Sequence, residues 1–176
     1  AIEALLVDFA LASFNNLVSR EPFAQITLDS IRVNLPLSAW ELDSDYFLTN
    51  QFGHPYQGAW AFTAARSAGL SFWWSTLFPF LTSLAWELVF EVDKPAVNDH
   101  ITTTIGGALL GEALFRLSML VARSGLPKWM REVFSFLLAP PVWVNDALFD
   151  EQLSAGDLPK VPFYRGWMGG GIVVQS

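Results

Sequence analysis

Residues 71–90 read SFWWSTLFPFLTSLAWELVF, and residues 98–112 read NDHITTTIGGALLGE. The first stretch carries no charge from Ser71 to Trp86, then meets Glu87 and Glu91. Its length and apolar character predict a helix, close to the lower limit for a bilayer span. Pro79 predicts a kink in it, because proline removes a helix hydrogen bond and clashes with the preceding turn. The second stretch predicts a helix that starts at Asn98 or Asp99, whose side chains accept from free N–H groups of the first turn. That helix runs to about Arg123, where Ser124-Gly125-Leu126-Pro127 ends it. Gly106 and the Gly107-x-x-x-Gly111 step offer a face for tight helix packing. These two segments form a central apolar hairpin, and they set the fold class as mainly α.

Outward from the hairpin, residues 1–18 place Leu5, Leu6, Phe9, Leu11, Phe14 and Leu17 at near-helical spacing. Ser19-Arg20-Glu21-Pro22 stops that helix. Residues 26–34 mix two alternation phases and leave two readings open. One is an irregular strand, the other a helical turn capped by Asp29 or Ser30. Residues 40–58 read as a polar and aromatic connection. Residues 57–68 read as a helix in which Ala59, Ala61, Ala64, Ala65 and Ala68 allow close backbone approach. Residues 128–138 form another helix, stopped by Pro140-Pro141, and a short helical piece follows around 142–151. The count is six or seven helices in a domain over residues 1–153. Residues 154–176 are a loop and a β-strand-like tail, with Gly and aromatics over residues 163–174. The tail reads as the start of a barrel or as a strand that pairs with a partner.

Composition narrows the function classes. Hydrophobic residues make up 52% of the chain and charged ones only 15%, against roughly 25% in an average soluble chain. With eight Trp, fifteen Phe and a mean hydropathy of +0.35, the chain reads as membrane-associated or buried in an assembly. The net charge of −7 and the lack of a Lys/Arg cluster argue against nucleic-acid binding and against a polybasic lipid patch. The absence of Cys excludes disulfides and thiolate chemistry. The opening Ala1-Ile2-Glu3 has no basic leader and no initiator Met, as expected of a processed form or a piece of a longer protein.

Acids set among Trp, Phe and Leu must be paired, hydrogen-bonded or neutral, since an unpaired buried charge is costly. The polar cluster expected in the middle third comprises His54, Tyr56, Arg66, Glu87, Glu91, Asn98, Asp99, Thr103, Glu112 and Arg116. The catalytic candidates are His54, Glu87 and Asp99. His54, in Gly53-His54-Pro55-Tyr56-Gln57-Gly58, is either a base or ligand or a hydrogen-bonding residue of a turn, and the turn reading is preferred. Glu87 and Glu91 lie one turn apart on one face. They read as a metal-binding or proton-sharing pair, or, preferred, as one acid paired with Arg66 or Arg116 and one facing solvent. Neither Glu-x-x-His nor H-E-x-x-H occurs, so no metal and no cofactor is expected. Asp99 and the threonines after it read as a helix cap in preference to an anion site. Glu112 and Arg116 read as an i,i+4 salt bridge. Ser67 lacks the G-x-S-x-G elbow of a serine hydrolase.

From Asn50-Gln51-Phe52-Gly53-His54-Pro55-Tyr56-Gln57-Gly58 onward the chain resembles a bacterial family. The likeness continues through Ala64-Ala65-Arg66-Ser67-Ala68-Gly69, Trp86-Glu87, Asn98-Asp99, Thr103-Thr104-Ile105-Gly106-Gly107 and Gly111-Glu112. It is similar to domain of unknown function 3943, over most of residues 1–125. The resemblance implies an exported protein of Gram-negative envelopes, with strands after the helical part. A weaker likeness is to membrane proteins of the VanZ type.

The leading expectation is a non-catalytic structural or interaction component of the cell envelope, in the outer membrane or periplasm. Its partners would be the membrane, an outer-membrane protein assembly or lipid. The alternative is a membrane-associated hydrolase or transferase for a lipid or cell-wall substrate, using His54, Glu87 and Asp99. In either case the acids Glu87, Asp99 and Glu112 are expected to meet His54 and Arg66 near one end of the hairpin. A raised carboxylate pKa in an open cleft beside His54 would favour the enzyme, and a closed, fully paired cluster the scaffold.

Overall fold

Seven helices occupy the part of the chain that the computed structural model describes, residues 2–44 and 46–149. They are α1 (Ile2–Phe14), α2 (Leu28–Asn34), α3 (His54–Ser67), α4 (Phe72–Ala85), α5 (Val97–Ala122), α6 (Lys128–Leu138) and α7 (Pro140–Phe149). Among these residues the only β-type pairing is an isolated parallel bridge between Glu41 and Ala96. The strand-like tail lies outside the described residues. Five-residue π-helical turns extend α1 (Asn15–Ser19) and α4 (Trp86–Phe90), lead into α3 (Thr49–Gly53) and interrupt α5 (Thr102–Gly106).

Local chemistry sets most of the helix ends. Arg20 takes a left-handed conformation, φ 53°, and ends the α1 rod before Pro22. The Ser71 hydroxyl accepts the Trp74 N–H at the start of α4. Pro127 precedes α6, which cannot extend past Pro140. Of the two readings of residues 26–34, the helical one holds, with a different cap. Thr27 Oγ1 accepts the Ser30 N–H at 3.0 Å, and Ser30 Oγ accepts the Thr27 N–H at 3.0 Å. This reciprocal box satisfies two free donors at once. α3 begins at His54, three residues earlier than its alanines suggest, because Pro55 is well suited to a first helical turn.

α4 and α5 form the hairpin, and α3 packs against both. α3 and α5 run parallel: Gly58 lies against Gly107, Phe62 against Gly111, and Arg66 against Glu112. The seam needs glycine. A Cβ on Gly58 would overlap the Thr103 carbonyl oxygen, and one on Gly107 would come within 2.5 Å of Gly58 Cα. One on Gly111 would meet Phe62 Cδ1 at 2.8 Å, and one on Gly106 would meet Pro55 Cγ at 3.1 Å. The π-helical turn at Thr102–Gly106 lies where the two backbones approach.

The interior is built largely from small side chains. Ala59, Ala61, Ala64, Ala65, Thr63 and Ser67 of α3 are buried. A second apolar cluster of Phe115, Met119, Ala139 and Val142 joins α5 to the α6–α7 corner. Many large apolar side chains point outward instead, among them Leu6 and Phe9 of α1, Trp73 and Trp74 of α4, and Ile105 and Leu109 of α5. Isolated exposed apolar residues are ordinary, but continuous faces of them mark an interaction surface.

Candidate functional site

The expectation that Asn98 or Asp99 caps α5 is corrected by the geometry. The N-cap position is Ala96, without a side-chain cap of its own. Its N–H donates to Glu87 Oε2 at 2.7 Å, and the Val97 N–H donates to the Glu41 carbonyl at 2.9 Å. A carboxylate arriving from the end of α4 thus fills the role given to a local side chain. Asn98 is free to do something else. Its Oδ1 accepts the Asp43 N–H at 2.8 Å, and its Nδ2 donates to Asp99 Oδ1 at 2.8 Å.

The other oxygen of Asp99 faces the imidazole. His54 Nε2 lies 3.6 Å from Asp99 Oδ2, with both side chains largely buried. The parallel packing of α3 and α5 explains the meeting, since each residue sits in the first turns of its helix. Tyr56 is half-exposed and packs edge-on to Trp60. Thr103 is buried against Gly58 and contributes packing.

Glu87 and Glu91 do not pair with arginine, contrary to the preferred reading of that pair. Glu87 is 2% exposed and bound to the Ala96 N–H. Glu91 Oε2 accepts the Trp86 indole N–H at 3.1 Å. The two carboxyls hydrogen-bond each other. Burial, and then the Glu87 charge beside it, push Glu91 up to about 9. Burial also raises Glu87. The pair therefore holds a proton at neutral pH, carried by Glu91.

Arg66, Glu112 and Arg116 form a second, separate cluster. Arg66 Nε lies 2.8 Å and Arg116 Nη2 2.7 Å from the two oxygens of Glu112. The Arg66 guanidinium also stacks over Phe115 at 4.7 Å. At a rise of ~1.5 Å per residue, twelve residues of α3 separate this cluster from His54 by ~18 Å. The expectation of one polar cluster is corrected to two, at opposite ends of the α3–α5 seam. The expected Glu112–Arg116 bridge is present. Ser67, bonded to the Ala64 carbonyl and to Asn145, is structural.

A half-open cleft of about 870 Å³ runs along α3. His54, Asp99, Asp43, Glu91, Asp93 and Lys94 line its polar end. Trp60, Ala61, Ala64, Phe136, Pro140 and Val144 line the rest. Asp8 and Gln57 border it as well, and Gln57 Nε2 donates to the buried Asp8 Oδ1 at 3.2 Å. Sequence reasoning missed Asp8. The available signal was an acid between Leu6 and Phe9 on an apolar helix. His100 was also missed; its Nδ1 lies 3.0 Å from Ser83 Oγ, and its ring packs edge-on against Trp40 and Phe80. Among the described residues no group of three or more acidic or histidine side chains is arranged to hold a metal ion.

The geometry defines a helical bundle with an acid- and histidine-lined cleft that is polar at one end and apolar at the other. The chain belongs to the family described as Domain of unknown function (DUF3943), which it matches over residues 39–141. The matched region starts after α2 and reaches the end of α6, later at both ends than the 1–125 the motifs suggested. It contains His54, Glu87, Glu91 and Asp99. No curated protein and no solved structure matches the chain.

Proposed function

We propose that this chain is a membrane-associated enzyme of the bacterial cell envelope, a hydrolase or transferase that works on the polar end of an amphiphilic lipid or cell-wall substrate. The observation that carries this reading is the position of His54 and Asp99 at the polar end of a cleft whose remaining length is apolar. Small-molecule sites combine mostly apolar walls with a few convergent polar groups in this way. His54 acts as general base, and Asp99, fixed by Asn98, orients the imidazole and stabilises its charged form. Glu91 keeps its proton at neutral pH and supplies an acid on the same wall. Asp43, Asp93 and Asp99 make the polar end negative, which disfavours polyanionic head groups and favours neutral or cationic ones.

The test is turnover and binding by the purified chain with three fluorescent amphiphiles: a neutral diacylglycerol, a zwitterionic phospholipid and an anionic phosphatidylglycerol. The neutral or zwitterionic probe should bind and react. His54→Asn should lower turnover by about 10²–10⁴-fold with unfolding temperature unchanged. Val144→Trp, at a half-buried position on the apolar wall of the cleft, should weaken binding. Failure of all three probes to bind, or indifference of turnover to His54→Asn, would sink the reading.

The broad apolar exterior favours a second reading, the non-catalytic envelope component. It predicts normal membrane assembly and no reaction with any probe, in the parent and in the His54→Asn variant alike.

A further inference from the structure

We infer that α5 crosses a lipid bilayer, with the end of the bundle that carries Arg123, Lys128 and Arg131 against the anionic headgroups and the polar end of the cleft on the opposite face. This placement shares with the proposed function only its association with a membrane and is independent of the chemistry in the cleft.

The first support is length. α5 has 26 residues and a mean hydropathy of 1.5 in its most apolar window, only a third of which is buried by the rest of the bundle. At ~1.5 Å per residue it spans ~39 Å, against a hydrocarbon core of ~30 Å. Its exposed apolar side chains, Ile101, Ile105, Leu109, Leu117 and Leu120, run ~28 Å along the axis. The charged residues within that length, Glu112 and Arg116, are bonded to each other, and Glu112 also to Arg66 on the neighbouring helix. Intramembrane charges are found in such pairs.

The second support is what flanks the apolar band. Trp73, Trp74 and Trp129 are exposed at the basic end, and Tyr46, Phe47 and Phe52 at the other. Trp and Tyr favour the two membrane–water interfaces. Charge then distinguishes the faces. Arg123, Lys128 and Arg131 sit within nine residues at the turn from α5 to α6; the acids of this end are Glu132, 3.7 Å from Lys128, and Asp146, beside the Asn145 that bonds Ser67. At the opposite end Arg32 and Lys94 are paired with Asp29 and Glu41, and Asp43 and Asp93 outnumber Arg20. Three basic residues are too few for a polybasic patch, but a Lys/Arg bias between the two ends of a span sets its orientation. In cells the anionic leaflet is the cytoplasmic one.

The chain contains no Cys, so single cysteines report position directly. Leu42→Cys, Leu109→Cys and Gly125→Cys, each in the full chain, are made in a bacterial host and treated with a membrane-impermeant maleimide. Position 42 should label in intact spheroplasts, position 125 only after lysis, and position 109 in neither. The chain should stay in the membrane pellet through a carbonate wash. Labelling of position 125 in intact spheroplasts, labelling of position 109 without denaturant, or release by carbonate would each overturn the placement. None of these readouts depends on turnover, so an inert cleft leaves the placement standing, and a failed placement leaves the cleft reading open to its own test.

Discussion

Glu87 caps a helix to which it does not belong: its Oε2 accepts the backbone N–H of Ala96, nine residues later, at 2.7 Å, where α5 begins. The carboxylate joins the end of α4 to the start of α5 and also meets Glu91. Glu87→Ala leaves the buried Ala96 donor without its acceptor. The expected cost is about 1–3 kcal/mol. Glu87→Gln keeps an acceptor oxygen and should cost less. Chemical or thermal unfolding of both variants checks the order, and equal losses would mean that the cap contributes nothing.

The proton held by Glu91 makes stability depend on pH. Its folded value is about 9, against an ordinary 4.5. The unfolded chain therefore releases this proton between those values while the folded chain keeps it. The contribution of Glu91 is fully present below pH 4.5 and is lost as pH rises towards 9. Glu91→Gln, which still donates to Glu87, should be more stable than the parent at pH 8–9 and should not gain at pH 4. Unfolding temperatures of the two proteins across that range test the sign.

The seam between α3 and α5 should tolerate no side chain at its closest point. Gly58→Ala forces a Cβ into the Thr103 carbonyl, and Gly107→Ala forces one into the Gly58 backbone. Backbone cannot yield as a side chain does, and overpacking of this kind costs about 1–3 kcal/mol or more. Gly111→Ala meets the Phe62 ring instead and should be the mildest of the three. Denaturant midpoints would rank them, and a mild Gly58→Ala would contradict the close approach.

The two arginines on Glu112 should differ in weight. Arg66 is 13% exposed and Arg116 44%. Arg66→Ala strips a mostly buried carboxylate of its inner partner, at an expected cost of about 3 kcal/mol. Arg116→Ala removes the outer i,i+4 partner while Arg66 still holds Glu112, and should cost less. A double-mutant cycle with Glu112→Gln separates the pairs.

The helices were legible where punctuation is local. Pro127 and Pro140 frame α6 to the residue. The start of α5 was not legible, because its acceptor comes from Glu87, on the far side of a loop. The site was half legible. Acids set among aromatics pointed to burial at Glu87 and Asp99, and both are buried, but which base or cation each one meets depends on height along the parallel seam. Asp99 reaches His54 near one end, and Glu112 reaches Arg66 near the other. Gly107 and Gly111 stood out by spacing, whereas nothing local marks Gly58, at the start of the 57–68 helix, as the point where an opposing backbone comes closest. Asp8 meets Gln57 across 49 residues, and no local pattern encodes that contact.

The glycine seam also limits how the molecule can move. Gly58, Gly107 and Gly111 act as a key in a slot. A slide of α5 along α3 by one turn, ~5.4 Å, would separate His54 from Asp99 and Arg66 from Glu112 in the same stroke. The two rods therefore cannot work as a piston. A signal or a substrate that acts at one end must reach the other by repacking the peripheral helices around a fixed axle.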